Sequence, residues 1–137
     1  MHQERIFIDT GAWVALADED DAHHKNAISI FPSLLNTSEK LITSNLVIAE
    51  SYILILKCLG HDAAISFLEK LNTSPRIIRT YSTADLEREA EKILKKYADQ
   101  DFSYTDAVSF AIMKRHNITK TFSYDRHFQT MGFLKVS

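Results

Sequence analysis

Apolar positions along this chain follow two periods that take turns. Residues 5–8 form a short apolar run closed by Asp9, which predicts a buried strand. From Gly11 the pattern turns helical, with Trp13, Val14, Leu16 and Ala17 on neighbouring turns, until the acidic run at 18–21. A second helix is predicted over 21–35 from Ile28, Phe31 and Leu35, with Pro32 expected to kink or divide it because its ring displaces a backbone hydrogen bond. Residues 40–43 read as a weak strand. Asn45 is expected to cap a long helix that runs to Leu59 and stops at Gly60. Another helix is predicted over 61–71, followed by a polar run at 72–75 and a strand at 76–81. Ser82-Thr83-Ala84-Asp85 opens a helix reaching about residue 98. Ser103-Tyr104-Thr105-Asp106 opens one carrying Ala107, Phe110, Ala111 and Met113 on one side and ending near His116-Asn117. Strands at 119–124 and 133–136 complete the pattern. Short strands separated by helices predict an α/β fold with a parallel sheet of four to five strands covered on both faces.

The 137 residues suffice for one domain with a real core, and no repeat, linker or low-complexity tract divides them. A single cysteine, Cys58, forms no intrachain bridge and fits a reducing compartment. No basic segment leads into a long apolar stretch, and the most apolar one, residues 46–59, is interrupted by Glu50 and Lys57. The expectation is a cytoplasmic protein without membrane contact. Sixteen Lys and Arg against eighteen Asp and Glu argue against a nonspecific coating of nucleic acid while leaving room for a local basic groove. The only glycines are at 11, 60 and 132, so no phosphate loop of clustered glycines exists.

Candidate chemistry therefore rests on acids. Asp9 and Asp125 follow the first and fourth predicted strands, on the edge where open parallel sheets build sites. Each alone is as well explained as a turn residue. Glu50 has Leu46, Val47, Ile53 and Leu54 as its helical neighbours. It either rolls toward solvent, meets a basic partner, or points into an acidic cluster neutralised by a cation. Asp106 completes a capping box whatever else it does, and Asp101 is a loop acid of open role. Two carboxylates about 4 Å apart repel by roughly 4 kcal/mol at an effective dielectric near 20. Convergence of Asp9, Glu50, Asp106 and Asp125 would thus need a hard divalent cation, Mg²⁺ or Mn²⁺, of the kind that activates water at a phosphodiester.

The segments FIDTGAW, VIAES, SYTDAVSFAIM and TFSYDRHF, in this order and spacing, resemble the PIN-domain ribonucleases, above all the VapC-like toxins of toxin–antitoxin pairs. The resemblance runs from about residue 5 to 136. It implies a three-layer α/β/α sandwich in which Asp9, Glu50, Asp106 and Asp125 are catalytic and metal-binding, supported by Thr10, Ser103 and Thr105. It further implies a Mg²⁺- or Mn²⁺-dependent endoribonuclease acting on single-stranded or structured RNA, with water attacking phosphorus to leave a 5′-phosphate. A homodimer and an antitoxin partner are expected on the same ground. His24 and Ala27 match a structural feature of the family, and Tyr124 departs from the small or polar residue usual before the fourth acid. Lys114, Arg115, Lys120 and Arg126 flank the third and fourth motifs and are candidates for substrate phosphates; the alternative is that they are solvated charges.

Other classes rank lower. Asp9-Thr10-Gly11-Ala12 matches the aspartic-protease tetrapeptide, but helical periodicity follows at once and three glycines cannot supply the turns and flaps of that fold. His23 and His24 cannot share one helical face, and Cys58-Leu59-Gly60-His61 lacks a second ligand pair for zinc. The histidines are expected to be surface and capping residues. Residues 18–21 lack the glycine and terminal glutamate of a calcium loop, and no GxSxG elbow is present. The remaining rival is a catalytically silent PIN fold that binds RNA or protein.

Overall fold

The computed structural model describes residues 4–136, with residues 38 and 39 described by backbone alone. Five strands, β1 (Glu4–Ile8), β2 (Ser38–Ser44), β3 (Ile77–Thr80), β4 (Lys120–Phe122) and β5 (Leu134–Lys135), form one sheet in the order β3-β2-β1-β4-β5. Every pairing is parallel. Between them lie α1 (Thr10–Ala17), α2 (His24–Thr37), α3 (Asn45–Leu59), α4 (His61–Thr73), α5 (Ala84–Lys96), α6 (Tyr104–Arg115) and α7 (His127–Thr130).

The strand order explains the layers. The chain steps from β1 to β2 to β3 in one direction, then returns to the far side of β1 for β4 and β5. Right-handed crossovers then put α1 to α4 on one face and α5 and α6 on the other. The packing agrees: α1 lies against α2 and α3, α3 against α4, and α5 against α6. The result is the expected three-layer α/β/α sandwich. Central strand β1 is covered on both faces, so Ile6, Phe7 and Ile8 are all buried, as in other parallel sheets.

Helix α6 departs from the one-sided pattern expected of it. Every residue from Asp106 to Met113 is buried, so it is a core helix rather than an amphipathic one. It starts with the predicted capping box, in which Ser103 Oγ accepts from the Asp106 N–H and Asp106 Oδ2 accepts from the Ser103 N–H. It ends with Asn117 at φ 54°, where Ile118 N–H reaches back to Met113 C=O at 2.8 Å and Asn117 N–H to Lys114 C=O at 3.3 Å.

Three local expectations change. Pro32 lies inside α2 without dividing it. The cap of α3 is Ser44, whose hydroxyl accepts from Val47 N–H, while Asn45 turns sideways and its side-chain oxygen accepts from Ser82 N–H at 2.8 Å. The short α7 was not expected at all. Gly60 stops α3 as predicted, at φ 94°, a value that favours glycine. Among the described residues no helix is long and apolar enough to cross a membrane.

Candidate metal centre

The switch in strand direction falls between β1 and β4, and in open parallel sheets the crevice beyond the carboxyl ends at such a point is where ligands bind. Asp9 follows β1 there and holds the N-cap position of α1, its carboxyl making no capping hydrogen bond. Its backbone N–H extends the β1–β4 pairing to Phe122 C=O at 3.1 Å. The tetrapeptide that resembles a protease therefore begins a helix on a parallel sheet.

Asp9 is only 5% exposed. Burial pushes its carboxyl up to about 7; the Thr10 N–H and the Ser123 hydroxyl pull it back, and the charges of Asp106 and Asp125 push it up further. Ser123 is the connecting residue. Its hydroxyl donates to Asp9 Oδ2 at 3.2 Å and accepts from Asp125 N–H at 3.0 Å, fixing the β4 exit against the β1 exit. The capping box delivers Asp106 to the same place from α6. Its carboxyl is also raised, chiefly by burial.

His127 was read as surface and is instead part of this cluster. Its Nδ1 lies 3.2 Å from Asp125 Oδ1 and 3.4 Å from Asp106 Oδ2, and its Nε2 lies 2.8 Å from Asp101 Oδ1. Burial lowers the imidazole's pKa, but the charge of Asp125 and the bonds to Asp101 and Asp106 outweigh that and leave it raised. Both nitrogens face carboxylates, so the imidazolium satisfies both at once. The Asp-x-His spacing of Asp125-Arg126-His127 was the available signal. It went unread because α7 is a single turn, opened where Asp125 Oδ1 accepts from His127 N–H at 2.9 Å.

The residues fit a divalent cation. Asp106, Asp125 and His127 each offer a ligand atom, all within 4.8 Å of one another. Thr10 Oγ1, on the residue that follows Asp9, is buried without a hydrogen-bond partner among the described residues. Carboxylate oxygens with one imidazole suit Mg²⁺ or, because of the nitrogen, Mn²⁺.

Glu50 on α3 is half-buried and enters none of the pairings above. Its neighbours Ile53 and Leu54 are themselves 41% and 40% exposed, so the apolar surroundings expected of it are partly solvent. Ser103 caps α6, and Thr105 is half-buried with its C=O accepting from Ser109. His24 Nδ1 bonds Ala15 C=O at 2.7 Å and Ala27 is fully buried, both in structural roles. Tyr124 does not disturb the turn, since its ring leaves the acids and its hydroxyl donates to Asn26 Oδ1 at 2.6 Å.

Three of the four basic candidates lie at the amino edge of the sheet, opposite the acids. Helix α6 runs opposite to the strands, so Lys114 and Arg115 in its last turn sit near the start of β1, where Arg5 donates to His116 C=O. Lys120 begins β4 and pairs with Glu4 at 2.6 Å, again at the amino edge of the sheet. Only Arg126, exposed beside Asp125, is at the carboxyl edge.

Comparison with known proteins agrees with this architecture. The PIN domain family matches residues 6–134. The 23S rRNA-specific endonuclease VapC20 of Mycobacterium tuberculosis is 34% identical over 132 residues, covering 96% of this chain and 97% of its own. Ribonuclease VapC26 of the same species is 26% identical, covering 92% and 91%. The crystal structure of VapC20, a sarcin–ricin loop cleaving toxin, superposes with a TM-score of 0.88 over 96% of this chain and 98% of that one. The fold alone is shared with VapBC2 from Rickettsia felis bound to a promoter DNA fragment, at 13% identity, a TM-score of 0.68 and coverage of 96% and 97%. From its sheet order to its clustered acids, the chain belongs to the PIN-domain family.

Proposed function

We propose that this protein is a Mg²⁺- or Mn²⁺-dependent endoribonuclease, and the toxin of a toxin–antitoxin pair. The observation that carries the reading is the cluster of Asp106, Asp125 and His127, to which Ser123 joins Asp9 at the exit of β1. Carboxylates crowded into a partly dry crevice are costly unless a cation joins them. When bound, such an ion lowers the pKa of a coordinated water and stabilises charge on a phosphodiester. Asp9, Asp106, Asp125 and His127 would hold it, and Ser123 keeps two of those acids in register. Thr10, whose hydroxyl has no partner in the fold, is available to the ion's water or to a phosphate oxygen. Glu50 is assigned to orienting the attacking water or to the ion itself, a role that rests on the family likeness. Arg126 is placed to meet a phosphate, and Ser103 and Thr105 shape the start of α6. The attack forms a new P–O bond, breaks the bond to the 3′ oxygen, and leaves a 5′-phosphate and a 3′-hydroxyl.

The substrate class follows from the relatives: a structured RNA loop is the first choice, since VapC20 is named for 23S rRNA and its sarcin–ricin loop. An antitoxin partner is supported by the toxin–antitoxin complexes of the same fold and by an apolar cavity of about 490 Å³ lined by Trp13, Leu16, Phe31, Leu35, Phe67 and Leu71. Exposed Ile53, Leu54 and Leu59 on α3 favour a homodimer. A strictly monomeric mass by light scattering at micromolar concentration would remove that part.

The test is cleavage of an end-labelled hairpin RNA carrying the sarcin–ricin loop, together with an unstructured RNA. EDTA should abolish cleavage and Mn²⁺ or Mg²⁺ restore it, with 5′-phosphate ends. If neither RNA is cut with either metal, the silent RNA- or protein-binding PIN fold becomes the better reading.

A further inference from the structure

We propose that His23, stacked on Tyr124, is a platform for one unpaired nucleobase of the substrate. The idea rests on the nuclease reading and deepens it by giving the substrate a second point of contact. The two rings are 4.1 Å apart and 8° from parallel, a full face-to-face stack between the α1–α2 turn and the loop that carries Asp125.

Several contacts hold Tyr124 rigid. Its hydroxyl donates to Asn26 Oδ1 at 2.6 Å, its ring meets Phe122 edge-on at 5.9 Å, and Lys135 Nζ lies 5.0 Å from the ring centroid. Its Cβ lies 3.9 Å from where a side chain on Gly11 would begin, which places the base of the ring against the first turn of α1. His23 is tied by its own backbone, whose N–H donates to Asp21 Oδ1 at 2.8 Å, while its ring is exposed. Tyr124 covers one face of the imidazole, and the residue as a whole is exposed.

An exposed aromatic ring, pre-oriented by its stack on the residue that precedes Asp125, suits a base better than a phosphate. The turn beside His23 carries Asp18, Glu19, Asp20 and Asp21, which repel the RNA backbone but accept hydrogen bonds from exocyclic amino groups. Every base has a π face, so stacking here tolerates sequence while requiring that the base be unpaired and turned outward. The platform therefore selects a looped or single-stranded nucleotide.

The experiment is steady-state cleavage of the sarcin–ricin loop hairpin in Mn²⁺ by the wild type and by His23→Ala, His23→Gln and His23→Trp, with His61→Ala as an exposed control. Stacking of one base is uniform binding, so KM should rise ~10-fold in His23→Ala while kcat stays within about threefold. His23→Trp should restore KM, and His23→Gln, which keeps polarity but not the π face, should not. Unchanged KM in His23→Ala, a loss confined to kcat, or full rescue by His23→Gln would each overturn the platform while leaving the nuclease intact. A wild type inactive on every RNA would overturn both.

Discussion

The hydroxyl of Ser123 donates to Oδ2 of Asp9 across 3.2 Å, so the exits of β1 and β4 are joined by a side-chain bond beneath the acids. Ser123 is 1% exposed and also accepts from the N–H of Asp125. Removing it strips Asp9 of a donor that favours its ionised form and leaves the Asp125 loop without its anchor. Ser123→Ala should cost about 1–3 kcal/mol of stability, the usual penalty for stranding a buried partner. Affinity for Mn²⁺ by calorimetry should fall by roughly tenfold or more, as for other groups that orient metal ligands. Wild-type Mn²⁺ affinity in this variant would mean that Ser123 only packs.

Metal-free protein should lose stability as pH rises. The carboxyl of Asp9 sits at about 7 in the fold against an ordinary 3.8, so the folded state holds a proton that the unfolded chain has released. That contribution is complete below about pH 4 and is lost as pH climbs through 7. Asp106, also raised, acts in the same direction. Thermal melts in EDTA should show a Tm falling between pH 5 and 8, and Asp9→Asn should flatten much of that slope. Because ligands must be deprotonated, Mn²⁺ should raise Tm more at pH 8 than at pH 5. A metal-free Tm that climbs over this interval would contradict the buried neutral acid.

His127 gives a second pH signature. Its raised pKa means the imidazolium stabilises the metal-free fold below its ordinary 6.5, and that help fades as pH rises through the higher folded value. His127→Gln should therefore lower the metal-free Tm at pH 6 by a few degrees and change it less at pH 8.5. Equal losses at both values would assign His127 a packing role instead of a charge among Asp101, Asp106 and Asp125.

The basic residues can be separated by edge. From Asp106 to Lys114 is eight residues of helix, about 12 Å at 1.5 Å per residue, already beyond the ~8 Å over which charges are felt at physiological salt. Lys114→Glu, Arg115→Glu and Lys120→Glu should each leave RNA affinity within about twofold. Arg126→Ala should weaken binding to all RNAs alike and reduce the salt slope by ~1. Titrations at several salt concentrations decide this, and a strong loss in Lys114→Glu would move the RNA path to the amino edge.

The contrast between Asp9 and His127 shows what the sequence could carry. Strand β1 is an apolar run ending in an acid, and a parallel sheet makes both features visible, because its central strands are apolar throughout and its sites gather past their ends. Asp106 was legible twice over, through the capping box and through the motif. His127 was not, because its position depends on one turn of helix held by an Asp125 side chain, too short for any periodicity to register. Glu50 shows the opposite limit. Its neighbours by helical spacing are apolar, but Ile53 and Leu54 remain exposed in the described fold, and no local pattern tells which apolar residues the core will take up. The same limit hid the amino-edge position of Lys114 and Arg115, since proximity to a motif along a helix says nothing about which edge of the sheet that end reaches.

Asp106 serves both the fold and the proposed chemistry, and two substitutions pull these apart. In Asp106→Asn the side-chain oxygen can still accept the Ser103 N–H, so the capping box survives while one ligand charge is gone. Relief of repulsion from Asp125 and of the burial penalty should leave the metal-free Tm equal or higher. In Asp106→Ala the reciprocal bond is lost as well, and stability should drop by about 0.5–2 kcal/mol, the range for a missing helix cap. RNA cleavage should disappear in both variants although only one is destabilised. Melts in EDTA paired with cleavage in Mn²⁺ read the two effects separately. Turnover at the wild-type rate in Asp106→Asn would show that this carboxylate caps α6 and does nothing more.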